Sequence, residues 1–124
     1  MQKTETIVLF EAEKSCMKMD SFFTENNSAA VCGSNLNKNQ LSILLRNFKI
    51  KNIIIAFDKE YEKLGTPQCE KYLNKLRAIG KKYNKYFQFY YIADRDNLLD
   101  YKDSPIDKGP EVFKWLYNKK VVIN

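Results

Sequence analysis

The chain has 124 residues, enough for one domain and too few for two, and its 44% hydrophobic and 29% charged residues suit an ordinary globular domain. It has no histidine, which removes His-based acid–base catalysis, Ser-His and Cys-His nucleophile pairs, and the usual zinc and iron sites. The formal charge of +6, from 21 basic and 15 acidic residues, is compatible with a phosphate-rich partner.

Strand-like and helix-like segments alternate along the chain. Thr6 to Phe10 (TIVLF) is β-branched and aromatic and reads as a first strand. Lys14 to Asn26 follows as a helix, with Met17, Phe22 and Phe23 as expected core contacts. Ala29 to Cys32 is a short strand ending at Gly33, and Asn37 is positioned to cap a helix whose Leu41, Leu44, Leu45 and Phe48 form one apolar stripe. Lys51 to Phe57 (KNIIIAF) is the strongest strand, and its near-continuous apolar run suits burial on both faces of a parallel sheet.

Gly65 and Thr66 break the pattern, and Pro67 opens a long helix to about Tyr83 with Cys69, Leu73, Leu76 and Ile79 on its inner face. Phe87 to Ala93 is a fourth strand, followed by the polar loop DRDNLLDYKDSPIDKG. Pro110 opens a last helix with Val112, Phe113, Leu116 and Tyr117 toward the core, and Val121 to Ile123 is either a short fifth strand or the start of a linker. This order predicts an α/β fold over residues 1–124: a central, mostly parallel sheet of about four strands with helices on both faces.

Cys16, Cys32 and Cys69 are odd in number and lack CxxC spacing, so neither a disulfide framework nor a zinc ribbon is expected. The longest apolar runs are too short to span a bilayer and the N-terminus lacks a signal-peptide core, which predicts a cytoplasmic protein without a membrane partner.

Functional residues in such sheets gather just past the carboxyl ends of the strands. Strand one runs into Glu11, Ala12, Glu13 and Lys14; strand three into Asp58, Lys59, Glu60, Tyr61 and Glu62; strand four into Asp94, Arg95 and Asp96. Parallel strands would bring three acidic groups to one edge. Two carboxylates about 4 Å apart repel by roughly 4 kcal/mol at an effective dielectric near 20. A divalent cation removes that cost, and Mg²⁺ (or Mn²⁺) fits a site of one or two carboxylates plus substrate phosphates. Such a site on a basic domain points to phosphoryl transfer or phosphodiester chemistry.

The motifs occur in a familiar order. VLFEAEKS at residues 8–15 resembles the first Toprim motif, a strand leading through a glutamate and a small residue into a helix. VCGSNL at 31–36 resembles the second strand and its glycine turn, IIIAFDKEYE at 53–62 the strand ending in DxD, and DYKDSPIDKG at 100–109 the acidic loop after the fourth strand. Over roughly residues 5–118 the chain resembles the Toprim domain of bacterial and phage DnaG-like DNA primases.

That resemblance implies a nucleotidyltransferase that makes RNA primers for DNA replication. It implies a general acid/base or metal ligand at Glu11, a Mg²⁺-binding pair at Asp58 and Glu60 extended by Glu62, a phosphate-facing Lys14, and a further acidic group at Asp107. The implied partners are a single-stranded DNA template, nucleoside triphosphates, the RNA primer and a replicative helicase. Two departures stand out: the DxD pair is Asp-Lys-Glu, and EAEK replaces the EGEK often seen in phage-type primases. A primase's zinc-binding and basic polymerase subdomains are not visible, so the chain reads as a domain excised from a longer primase and inactive alone.

On the long helix Lys71, Lys75 and Lys82 share a face, with Lys81, Lys85 and several aromatics nearby, a composition that binds single-stranded nucleic acid. Alternative readings are a Toprim nuclease or topoisomerase-type cleavage domain, which would use the same carboxylates, and a catalytically silent Toprim docking module. A signalling receiver domain would place Asp58 similarly, but it needs a Ser or Thr ending strand four and a Lys-Pro after strand five, and both are missing.

Overall fold

A computed structural model of the chain describes residues 6–23, 28–31 and 50–123. Within them β1 (Thr6–Phe10) leads to α1 (Glu13–Phe22) and β2 (Ser28–Ala30). Then come β3 (Asn52–Ile55), α2 (Pro67–Tyr83), β4 (Gln88–Tyr91), α3 (Pro110–Asn118) and β5 (Val121–Ile123). The helix expected after Asn37, with Leu41, Leu44, Leu45 and Phe48, lies outside the described residues, as do Cys32 and Gly33.

The strands form one sheet in the order β2-β1-β3-β4-β5. The first four are parallel, and β5 runs antiparallel to β4, with Phe89 opposite Ile123 and Tyr91 opposite Val121. The sheet therefore has five strands rather than about four: the VVI segment covers the backbone edge that β4 would otherwise present to solvent. β3 lies at the centre, as its unbroken NIII run requires.

Alternation along the strands divides the core into two layers. Ile7, Leu9, Ile53, Ile55, Phe89 and Tyr91 face α2, whose Tyr72, Leu73, Leu76 and Ile79 pack on them. Val8, Phe10, Ile54 and Ile92 face the other way, onto Met19 of α1 and Phe113 and Leu116 of α3. The fold is thus α/β with helices on both faces. Each fully buried Ile, Leu or Phe contributes about 1.5–3 kcal/mol by leaving water.

Local sequence sets the helix boundaries. Thr66 caps α2, its Oγ1 accepting from the Cys69 N–H at 3.2 Å, and Pro67 occupies the first turn, where no amide donor is needed. In α1 two of the three expected core contacts point outward: Met17 is 71% and Phe22 44% exposed. Ser15 and Met19, one turn apart, take the inner face instead, and Met17 stands about 200° round the helix from Ser15. Phe23, the C-cap in extended backbone, turns its ring onto Phe113 at 5.9 Å. No helix among the described residues is long and apolar enough to cross a membrane.

At Gly80 α2 packs directly against Ile123 of β5. A Cβ there would lie 2.5 and 2.8 Å from two carbons of the Ile123 side chain. Helix propensity alone favours alanine over glycine by about 1 kcal/mol. Overpacking is expected to win, because Ile123 is buried in β5, and Gly80→Ala should cost about 1–3 kcal/mol in a urea titration. Adding Ile123→Ala should recover much of the loss; a Gly80→Ala variant more stable than the wild type would show that β5 moves freely.

Candidate functional site

Beyond its last paired residue β3 keeps the alternation of a strand. Phe57, Lys59 and Tyr61 are buried, while Asp58 and Glu60 are half-buried on the other side. The acidic i, i+2 spacing therefore puts both carboxylates on one side of the chain. Glu11 follows β1, the neighbouring strand, and its Oε1 accepts the Asp58 N–H at 3.1 Å. This continues the β1–β3 ladder, whose last backbone bond runs from the Ala56 N–H to the Leu9 carbonyl at 2.8 Å. The chain leaves β1 toward one side of the sheet and returns to β3 on the other, so this is the topological switch point of the sheet, where open α/β folds bind ligands.

The charges here are mutually repulsive. Burial, then the neighbouring Asp58 and Glu60, pushes the Glu11 carboxyl from its ordinary 4.5 up to about 7. Asp58 is raised as well, first by burial, then by Asp107 and Glu60. Among the described residues neither carboxylate forms an ion pair. Glu60 lies 3.8 Å from Lys75 Nζ, and Asp107 pairs with Lys18 at 2.7 Å while accepting the Ser104 N–H at 2.9 Å. The N-terminal end of α1, which begins two residues after Glu11, adds positive partial charge.

Of the residues singled out from sequence, the fold brings together Glu11, Asp58 and Glu60, with Asp107 close enough to act on Asp58. Glu62 and Lys14 are exposed and are not among the charges that act most on Glu11 or Asp58. Among the described residues no three acidic or cysteine side chains form a ready metal cage. Mg²⁺ needs fewer, because it keeps waters and takes substrate oxygens, so two half-buried carboxylates whose pKa values are raised on balance fit its donor set.

Asp94 does not join the cluster, contrary to the three-way convergence expected from sequence. It is 3% exposed and its Oδ2 receives Lys59 Nζ at 2.9 Å. Its two oxygens also accept the Leu98 and Leu99 amides at 2.8 and 2.7 Å. Lys59 completes its own shell with Asn97 Oδ1 and the Leu99 carbonyl, both at 2.9 Å, and lies 5.0 Å from the Tyr61 ring centre. Its backbone donates to the Asp103 carbonyl at 2.8 Å and accepts from the Lys102 N–H at 2.7 Å. A buried lysine thus ties the segment carrying Asp58 to the loop after β4. The sequence signal for it was the spacing of FDKEY, which puts Lys59 in alternation with Phe57 and Tyr61.

Beside Glu60 a groove of about 390 Å³ opens between α2 and that loop. Gln68, Lys71 and Lys75 line it from the helix, together with Tyr72, and Tyr101 and Lys102 from the loop. Lys82, exposed further along α2, lies outside it. Most of the aromatics expected to flank these lysines, Tyr83, Phe87, Phe89 and Tyr91, are buried in the core.

No protein-family model matches the sequence. The chain is 34% identical over 131 aligned residues to the SPbeta prophage-derived uncharacterized protein YorJ of Bacillus subtilis (strain 168). The match takes in 99% of this chain and 34% of that protein, so the chain spans about a third of its relative's length.

Two outcomes follow from this geometry. Removing one partner of a buried ion pair strands the other charge, so Lys59→Met and Asp94→Leu should each cost about 3–5 kcal/mol in chemical denaturation, and the double variant less than their sum. The second concerns pH. Unfolded, Glu11 loses its proton near 4.5; folded, it holds it to about 7. The folded state binds more protons in between, so this contribution to stability is full below about pH 4.5 and is lost as pH rises through about 7. Glu11→Gln should therefore melt higher than the wild type at about pH 8 and show a flatter Tm profile from about pH 5 to 7.5.

Proposed function

We propose that this chain is a Mg²⁺-dependent Toprim-type catalytic domain of a DNA primase, serving nucleotidyl transfer in RNA primer synthesis. The observation that carries the reading is the Glu11 carboxylate at the switch point, bonded to the Asp58 N–H and subject to the charges of Asp58 and Glu60. The ordered EAEK, DKE and DYKDSP motifs and the basic surface support it. Glu11 and Asp58, with Glu60 beside them, would hold the cation. Bound there, Mg²⁺ would supply positive charge to the phosphate oxygens of a nucleoside triphosphate.

The remaining work falls to the chain's own groups. Glu11, whose carboxyl sits near 7 before a cation binds, couples cation binding to release of its proton. Its contact with the Asp58 amide keeps the two strand ends in register. Lys59 keeps the Asp58 segment against the loop after β4, fixing the spacing between the carboxylates and Lys102. Lys71 and Lys75 give the approach a positive wall. The relative's prophage origin accords with a phage-like replication protein, and the template, primer and helicase partners belong to the same proposal.

Calorimetric titration with Mg²⁺ and Mn²⁺ tests the reading directly. The wild type should bind, Asp58→Ala should weaken binding by at least about tenfold, and affinity should rise several-fold from about pH 6 to about pH 8 as Glu11 loses its proton. Absence of binding in the wild type, with and without nucleoside triphosphate, would leave a silent docking module as the better account.

A further inference from the structure

The groove beside Glu60 has features that the carboxylate pair does not need. Lys71, Lys75 and Lys102 face it against the single carboxylate of Glu60, so it is basic where the adjoining sheet edge is acidic. It also leads to that edge: Lys75 lies 3.8 Å from Glu60, and the charge of Lys102 acts on Asp58. Tyr101 is 43% exposed at its wall, a large ring left outside both core layers.

Lys102 has φ of 74°, a left-handed conformation that a residue with a side chain seldom adopts. The turn is held there by the Lys102 N–H on the Lys59 carbonyl at 2.7 Å and the Asp103 N–H on the Asp100 carbonyl at 3.0 Å. The buried Lys59 thus presents Lys102 and Tyr101 to the groove at a cost in backbone strain.

We infer that this groove carries a single nucleic-acid strand to the carboxylate edge, with phosphates on Lys71 and Lys102 and one base stacked on Tyr101. Lysines beside an exposed aromatic suit an unpaired base, whose face a duplex would hide. Lys82 is excluded, since it lies about 16 Å further along the helix axis than Lys71 and outside the groove. The inference deepens the proposed function and rests on it only for the chemistry met at the strand's end; binding itself requires no metal.

The test is fluorescence anisotropy of a labelled oligothymidylate with the whole chain, in EDTA. The double variant Lys71→Ala/Lys102→Ala should bind at least about tenfold more weakly, and the slope of log affinity against log salt should shrink by about 0.7 for each lysine removed. Tyr101→Ala should lose about fivefold or more while Tyr101→Phe binds as the wild type does, and Lys82→Ala should stay within about twofold. Lys102→Gly should weaken binding yet melt no lower than the wild type, because glycine accepts the left-handed backbone, a combination that a purely structural lysine would not give.

Wild-type affinity in the Lys71, Lys102 and Tyr101 variants would overturn the inference. So would tighter binding of duplex, or competitive displacement of the strand by free nucleoside triphosphate, which would assign the lysines to a mononucleotide. Asp58→Asn should bind the strand at least as well as the wild type in EDTA, so loss of the metal site and loss of the groove are separate results.

Discussion

The Lys59 ammonium organises the edge of the sheet that carries the candidate site. It sits at the end of the central strand with its charge removed from water, a state that is tolerable only because every donor finds an acceptor. Those acceptors, Asp94, Asn97 and the Leu99 carbonyl, all belong to the segment after β4. Satisfying one buried cation therefore folds a long polar loop down onto the neighbouring strand. No buried side-chain nitrogen or oxygen among the described residues is left without a partner. The Asp58 segment, the Lys102 turn and the loop side of the groove are held by this contact.

The carboxylate pair obeys the opposite logic. Burial and like charge both raise Glu11 and Asp58; Lys75 and Lys102 offset this only in part, and among the described residues neither carboxylate has an ion pair like that of Asp94 with Lys59. At the carboxyl ends of three adjacent strands, one acidic side chain is neutralised and made structural while two others are left under electrostatic tension. Tension of this kind at a switch point is the usual mark of a group kept for a ligand or for proton exchange. The proposed cation site rests on that contrast.

Much of this could be read from residue order. The Ile-rich run of β3, the Thr66–Pro67 start of α2 and the Leu73, Leu76, Ile79 stripe are local patterns that burial in the fold reproduces. Glu11 and Asp58 were legible because strand ends in parallel sheets point to one edge. Asp94 looked equivalent by the same rule and is not, because Lys59 claims its carboxylate. Met17 and Phe22 look like core residues by composition. Whether an apolar residue faces in depends on the helix's rotation about its axis, which Ser15, Met19 and Phe23 decide through contacts far away in sequence. Thus Ser15 Oγ donates to Ser104 Oγ at 2.9 Å.

The sequence by itself determined the alternating α/β order, the parallel central strands and the acidic residues at their carboxyl ends, since these follow from periodicity and short-range propensity. Tertiary structure alone decided which charges are spent on stability and which remain under tension. It also decided that β5 closes the sheet antiparallel, and that Tyr101 and a left-handed Lys102 line a basic groove beside Glu60. Those outcomes depend on pairings between residues tens of positions apart, where burial sets the cost of each unpaired charge, and no local pattern encodes which partner will be within reach.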